Sequence, residues 1–445
     1  MTMIYTARWV LPVATAPIEY GAIAIDEGRI VAVGPRSAIC ERFPAVAPED
    51  FKNSAIIPGL INTHTHLELT AMRGYLEQEE SNFFAWLRKL TRARLEQMTP
   101  DDIQVSATWG ACEAVRAGIT SVGDASDSAL LSMRALQEVG MRGVVFQESF
   151  GPDARLVSEN FDRLKAKVGE LREVESTLVR AGVSPHAPYS VCGPQLEVIA
   201  DYALSERLPL MMHAAESAAE EMFVRDGCGI FADGLKSRDI DWTTPGVSTI
   251  QHLKQRGILN TQPLLAHCIR VDEKDLEALH ETKSKVAHCP KSNAKLGHGR
   301  APLAKFIDRG ITVGLGSDSV ASNNTCDILE EARFAALIAR ADREVTASEV
   351  FLAATMGGAR CLGLEREIGE LTEGAAADLA VVSLDGVHQI PGYDPLSTLV
   401  FSSSGRDVLM TVVAGKEVFR NGRVVGVDEE RLRARMDEIN LKLRF

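Results

Sequence analysis

At 445 residues the chain exceeds what one hydrophobic core usually supports, so two domains are expected. Its 45% hydrophobic and 24% charged content is that of an ordinary globular protein. The formal net charge of −13 argues against nucleic acid or an anionic membrane as partner, because both demand clustered Lys and Arg.

The opening, Met1 to Tyr5, lacks a basic region followed by an apolar one, so no signal peptide is expected. No apolar run approaches the ~20 residues a membrane helix needs. Eight cysteines are scattered at 40, 112, 192, 228, 268, 289, 326 and 361 with no C-x-x-C. That pattern reads as reduced, mostly buried thiols in a cytoplasmic protein.

Residues 1–57 read as short strands and turns; the stretch 21–34 alternates around Asp26-Glu27-Gly28. Residues 374–425 read the same way, with an Asn421-Gly422 hairpin signal. Neither end is long enough to build a sheet domain alone, so the two are expected to form one small β-sandwich, 1–57 with 365–427. Between them, over 58–364, short apolar strands alternate with amphipathic helices such as 101–117 and 160–174, the sequence form of βαβ units. Eight candidate strands lie at 56–63, 119–124, 142–148, 178–185, 209–214, 264–268, 285–289 and 311–318. The expected fold is therefore α/β: a (β/α)8 TIM-like barrel flanked by the terminal sandwich. The tail, 428–445, reads as a charged amphipathic packing helix.

Catalytic residues of such barrels gather at the C-terminal ends of the strands. The first strand ends in His64-Thr65-His66, and side chains two apart on a strand share a face. The fourth ends in Ser184-Pro185-His186, the fifth in His213-Ala214-Ala215-Glu216, the sixth in Ala266-His267-Cys268, the seventh in Ala287-His288-Cys289 and the eighth in Gly316-Ser317-Asp318. Six of the ten histidines thus fall at strand ends, with an Asp and a Glu among them. A catalytic metal wants three or four protein ligands and one open position. His64, His66, His213 and Asp318 supply three nitrogens and a carboxylate. A two-metal site would want an anionic bridge from a central strand, and Leu178 to Pro185 holds no Lys, Asp or Glu, so one divalent ion is expected. Zinc is the first expectation, iron(II) or manganese(II) the alternatives.

Glu216, one helical turn beyond His213, can face the same cavity. A carboxylate there can take a proton from a metal-activated water and deliver protons to the substrate ring and the leaving group. Asp318 can also orient that water, and His267 is better placed to polarise it than to act as a fifth ligand.

In order, H-T-H at 64–66, S-P-H-A-P-Y at 184–189, H-A-A-E at 213–216, A-H-C at 266–268 and G-S-D-S-V-A-S-N-N at 316–324 resemble the amidohydrolase superfamily, in its branch of mononuclear deaminases and chlorohydrolases. The resemblance implies an aminohydrolase: metal-bound hydroxide attacks the amino-bearing carbon of a purine-like ring and ammonia leaves. It implies His64, His66, His213 and Asp318 as ligands, Glu216 as acid/base, and His186 against the substrate ring or sugar. His64 to Thr70, Phe83 to Leu87 and the 215–242 segment look most like aminodeoxyfutalosine deaminases, whose substrate is an adenine nucleoside analogue carrying a benzoate. Methylthioadenosine/S-adenosylhomocysteine deaminases offer a Glu after the Trp-Leu pair for the ribose hydroxyls; here that stretch is basic, with Arg88, Lys89, Arg92 and Arg94. Trp86, Arg88, Arg92 and Ser322 join His186 as expected substrate contacts. The alternatives are a guanine or 8-oxoguanine deaminase, a triazine chlorohydrolase, or a non-catalytic barrel serving as a binding module. The expected partner is a small-molecule substrate, with no nucleic acid and no membrane, in a homodimer.

Overall fold

The computed structural model describes residues 2–444. Eight parallel strands follow the expected order: β1 (Leu60–Thr65), β2 (Ile119–Ser126), β3 (Arg142–Ser149), β4 (Val179–Pro185), β5 (Met211–Ala214), β6 (Leu264–His267), β7 (Lys285–His288) and β8 (Val313–Leu315). They pair as two four-stranded sheets, β1-β2-β3-β4 and β5-β6-β7-β8. The edges of the two sheets are also bonded. Val183 and Leu210 form a parallel bridge between β4 and the lead into β5. On the other side the Asp318 amide donates to the His64 carbonyl at 2.9 Å, and the Thr63 hydroxyl to the Leu315 carbonyl at 2.9 Å. β1, β2 and β3 are buried along their whole length, as strands covered on both faces are.

The helix that leads into β2 starts where its cap predicts. Helix Pro100–Arg116 is opened by Thr99, whose side chain accepts from the Asp102 amide while Asp102 bonds back, with proline at its first position. Helix Val157–Val174 begins three residues earlier than the hydrophobic period alone suggests.

The two chain ends meet in one mixed sheet of nine strands, not in two separately bonded leaves as the sandwich expectation has it. Its order runs Arg423–Val424, Lys416–Arg420, Val408–Val413, Leu379–Ser383, Ser54–Pro58, Met3–Val10, Ile18–Asp26, Arg29–Pro35, with Glu49–Asp50 paired to Met3–Val10. Both expected hairpin turns are formed: Glu27-Gly28 and Asn421-Gly422 each have two successive positive φ values, 48° and 78°, 47° and 80°.

The expected strand 56–63 is two strands belonging to different sheets. Ser54–Pro58 pairs with Leu379–Ser383, whereas β1 pairs with β2. The switch falls at Gly59: its amide donates to the Asp378 carbonyl and the next amide to that of Gly118. A Cβ at Gly59 would sit 2.1 Å from the Thr120 hydroxyl, so only glycine passes there.

The terminal helix, Glu429–Arg444, buries Ile439 and Leu443 against Leu69, Met72 and Trp86. Arg435 and Lys442 hold it to the buried Asp102. No helix among the described residues is long and apolar enough to cross a membrane. All eight cysteines are free, and six are buried.

Candidate active site

Four of the expected residues converge above the strand ends. His64 and His66 leave β1 on one face. Nε2 of each lies 3.5 Å from Oδ1 of Asp318, and His66 Nε2 lies 3.2 Å from His213 Nε2. Asp318 reaches this point because the chain after β8 turns tightly past β1. A Cβ at Gly316 would stand 3.0 Å from that of His64 and 2.9 Å from the Cys289 sulfur, and Asp318 itself takes φ 57°. Close approach, not chance, keeps a glycine at 316.

These groups carry the marks of a cation site. His64 Nε2 is buried with no hydrogen-bond partner among the described residues, as is His267 Nε2. Buried polar atoms are nearly always partnered, so two orphaned lone pairs aimed into one space call for an electron-pair acceptor. Ligand atoms of His64, His66 and Asp318 lie within 4.8 Å of one another, and so do those of His64, His213 and His267. Burial keeps the imidazoles neutral: His64 is pushed down to about 4 and His213 well below its ordinary value. Burial alone would raise the Asp318 carboxyl, but the His64 ring beside it holds it well below the usual carboxylate range. Neutral nitrogens and one ionised carboxylate are the donor set of a catalytic zinc-type ion, and the residues fit it.

The supporting contacts fix each ligand's orientation. His213 donates from Nδ1 to the His186 carbonyl at 2.9 Å. His267 Nδ1 lies 2.8 Å from the Asn293 side-chain oxygen. Both Ser292 and Ser322 donate to Asp318 Oδ2, at 2.6 and 2.8 Å, which leaves Oδ1 for the histidines.

Glu216 is buried next to this cluster, its Oε1 3.7 Å from His267 Nε2 and 3.6 Å from His298 Nε2. Burial first, then the charge of Asp318, raises its carboxyl to about 8. Glu220 pins the local backbone, accepting from the amides of Ala215 and Glu216 at 2.8 and 3.0 Å. That bond holds Ala215 in a left-handed conformation, φ 53°, which swings Glu216 toward the cavity.

One cavity of about 990 Å³ opens over the cluster, and His66, His186, His213, Glu216, His267 and Asp318 all line it. Trp86, Arg88 and Arg92 line it as well, all from helix Phe83–Arg92. Ser322 stands elsewhere: it is 1% exposed, its hydroxyl is spent on Asp318, and it is not part of the cavity wall. His288, the remaining strand-end histidine, is buried with neither nitrogen bonded and belongs to none of the three ligand clusters.

Sequence reasoning passed over Ser292, Asn293, Glu220, His298 and Glu148. Ser292 and Asn293 follow β7 in Pro290-Lys291-Ser292-Asn293, a polar run directly after a strand-end His-Cys, which is a usable signal. His298 sits between Gly297 and Gly299 in a loop, with nothing local to mark it.

The Amidohydrolase family matches residues 55–418 of the chain. A bacterial imidazolonepropionase-like composite domain matches the short stretch 21–45. The 5-methylthioadenosine/S-adenosylhomocysteine deaminase of Syntrophobacter fumaroxidans is 34% identical over 437 residues, covering 96% of this chain and 92% of that protein. A zinc-bound adenosine deaminase of Xanthomonas campestris superposes with a TM-score of 0.88 at 26% identity, over 99% of this chain and 98% of that one. The Helicobacter pylori aminofutalosine deaminase, in complex with methylthio-coformycin, shares the fold, with a TM-score of 0.79 at 24% identity over 94% of this chain and 100% of that one. The chain belongs to the amidohydrolase family and is a hydrolase of carbon–nitrogen bonds.

Proposed function

We propose that the protein deaminates an adenine-type ring carried on a nucleoside, with one divalent metal ion, zinc by preference, at His64, His66, His213 and Asp318. The observation that carries this reading is the convergence of two orphaned histidine nitrogens, the ionised Asp318 and the proton-holding Glu216 on one cavity. Relatives named for deamination of adenine nucleosides support the ring class. We further propose that the eight strands close into a (β/α)8 barrel over residues 58–364, with 1–57 and 365–427 as the flanking unit. The bonded edges at Val183/Leu210 and Asp318/His64 support that closure.

When bound, the ion supplies Lewis acidity and an activated water. The chain's own residues do the rest. Glu216, its carboxyl raised by burial, donates to the ring nitrogen next to the reacting carbon, then takes a proton from the attacking oxygen and passes it to the departing amine. Asp318 Oδ1, free of Ser292 and Ser322, accepts a hydrogen bond from the attacking oxygen and orients it. His267, oriented by Asn293, fixes the line of attack with Nε2.

A carboxylated substrate is the finer proposal. Of the four basic residues after Trp86, Lys89 faces Glu79 at 3.6 Å, Arg92 bonds Glu96 at 2.9 Å, and Arg94 pairs with Glu68 and Asp127 at 3.2 and 3.0 Å. Arg88 alone of the four has no carboxylate partner among the described residues while lining the cavity. An acidic group on the substrate, such as the benzoate of aminodeoxyfutalosine, would complete it.

The test is ammonia release by the zinc-loaded protein from adenosine, methylthioadenosine, aminodeoxyfutalosine, guanine, 8-oxoguanine and cytosine. Adenine nucleosides should yield ammonia, the carboxylated one fastest. Ammonia from none of the six would overturn the deaminase reading, and ammonia from guanine or cytosine alone would overturn the ring class.

A further inference from the structure

The end of β3 carries a carboxyl group that neither the metal cluster nor the proton shuttle uses. Glu148 lines the cavity and is 7% exposed, yet its Oε1 is buried with no hydrogen-bond partner among the described residues. It stands next to His186. A carboxyl oxygen of Glu148 and a ring nitrogen from each of His186 and His213 lie within 4.8 Å of one another. His186 Nδ1 is engaged with the Ser190 hydroxyl at 2.8 Å, so Nε2 is the nitrogen left for the cavity.

Two occupants could satisfy this pair, a second cation or a polar group of the substrate. His213 decides between them. Its Nδ1 is spent on the His186 carbonyl, and its Nε2 is turned to within 3.2 Å of His66 Nε2. With His213 committed to the first cluster, only Glu148 and His186 remain, fewer than the three or four ligands an ion requires. An anionic group fits no better, because Glu68 and Asp127 share this wall and already pair with its cations Arg94 and Lys167. A neutral hydroxyl fits. A carboxyl oxygen can accept its proton, and an imidazole nitrogen can take or give a second hydrogen bond on the adjacent oxygen.

We infer that Glu148 and His186 together bind a hydroxyl pair on the sugar of the substrate, making Glu148 a specificity residue for ribosylated over sugar-free rings. The inference rests on the adenine-nucleoside reading above. It also supplies, from a different strand, the carboxylate that the basic stretch Arg88–Arg94 does not offer. The substrate then spans two walls, hydroxyls at β3 and β4 and any acidic tail toward Arg88.

The test compares adenosine, 2′-deoxyadenosine and 9-methyladenine with wild-type, Glu148→Ala and Glu148→Gln protein, zinc content being measured for each. Losing a buried hydrogen bond to a substrate hydroxyl costs about 10- to 100-fold in kcat/KM. Glu148→Ala should show that loss on adenosine, carried mainly by KM, and little change on 9-methyladenine, so that its preference for adenosine over 2′-deoxyadenosine collapses. Glu148→Gln, which keeps an acceptor of the same shape, should recover most of the loss. An equal loss on adenosine and 9-methyladenine would assign Glu148 a structural role and overturn the inference. So would two zinc ions per wild-type chain falling to one in Glu148→Ala. Wild-type protein inactive on every adenine nucleoside would instead bring down the adenine reading, and the inference with it.

Discussion

His213 donates from Nδ1 to the backbone carbonyl of His186 at 2.9 Å, and this single bond turns its other nitrogen into the cavity. A neutral imidazole that donates through Nδ1 has its lone pair on Nε2. That lone pair lies 3.2 Å from Nε2 of His66, which either donates its proton to it or shares a cation with it. The tautomer is therefore set by a strand-end carbonyl, and the metal site is organised before any ion arrives.

Removal of the metal should cost stability as well as activity. Binding energy at a site formed only in the folded chain adds to folding stability. Dialysis against a chelator should lower the thermal midpoint by several degrees, with zinc addition restoring it. His213→Ala should show the low midpoint from the start and hold well under one zinc per chain. A midpoint indifferent to chelation would remove the ion from this site.

Glu216 should be separable from metal binding. Its Oε1 lies beside His267 and His298 rather than among the clustered ligand atoms. Glu216→Gln should keep its zinc by elemental analysis and lose kcat by about three orders of magnitude or more, the upper part of what a positioned acid/base contributes. Near-normal turnover would assign the proton shuttle to another group.

The basic helix gives a paired comparison. Arg88→Ala should raise KM about tenfold for a carboxylated adenine nucleoside and leave adenosine unchanged, since a charge-assisted bond is worth roughly 1.5–3 kcal/mol when shielded and less when exposed. Arg92→Ala should do neither, because Arg92 is already paired with Glu96 on its own helix. Equal effects of the two substitutions would show that the face acts by general charge.

Acid should destabilise the fold through buried histidines that belong to none of the three ligand clusters. His252 is buried with neither ring nitrogen bonded among the described residues, and burial, with Arg256 nearby, pushes it down to about 4. Burial pushes His288 down to about 4 in the same way. An unfolded imidazole takes its proton near ~6.5. Between those values the unfolded chain binds more protons, so stability present above pH ~6.5 is lost as pH falls toward 4. Urea midpoints at pH 7.5, 6 and 5 should fall less for His252→Leu than for the wild type. Parallel decline of the two would show that His252 carries none of the pH dependence.

Much of this site was legible before any tertiary structure. Period-two spacing placed His64 and His66 on one face, and the short apolar runs located all eight parallel strands to within a few residues. The first of them was misjudged because hydrophobicity is continuous from Ala55 to Ile61, while the hydrogen-bonding partner changes at Gly59. A pattern of apolar residues reports burial, not which sheet does the burying. Ser322 shows the same limit. Its place in the 316–324 motif marked it as part of the site, but only the packed loop shows its hydroxyl on Asp318 rather than in the cavity.

By itself, then, the sequence determined which strands exist and which ligand types stand at their ends, because both follow from local periodicity and residue chemistry. Tertiary structure decided what depends on groups far apart in the chain. It aimed His213 through the His186 carbonyl, set Glu216 against His298, left Arg88 without a counterion among the described residues and stranded the Glu148 carboxyl beside His186. Orientation, partnering and vacancy are relations between segments, and no single segment encodes them.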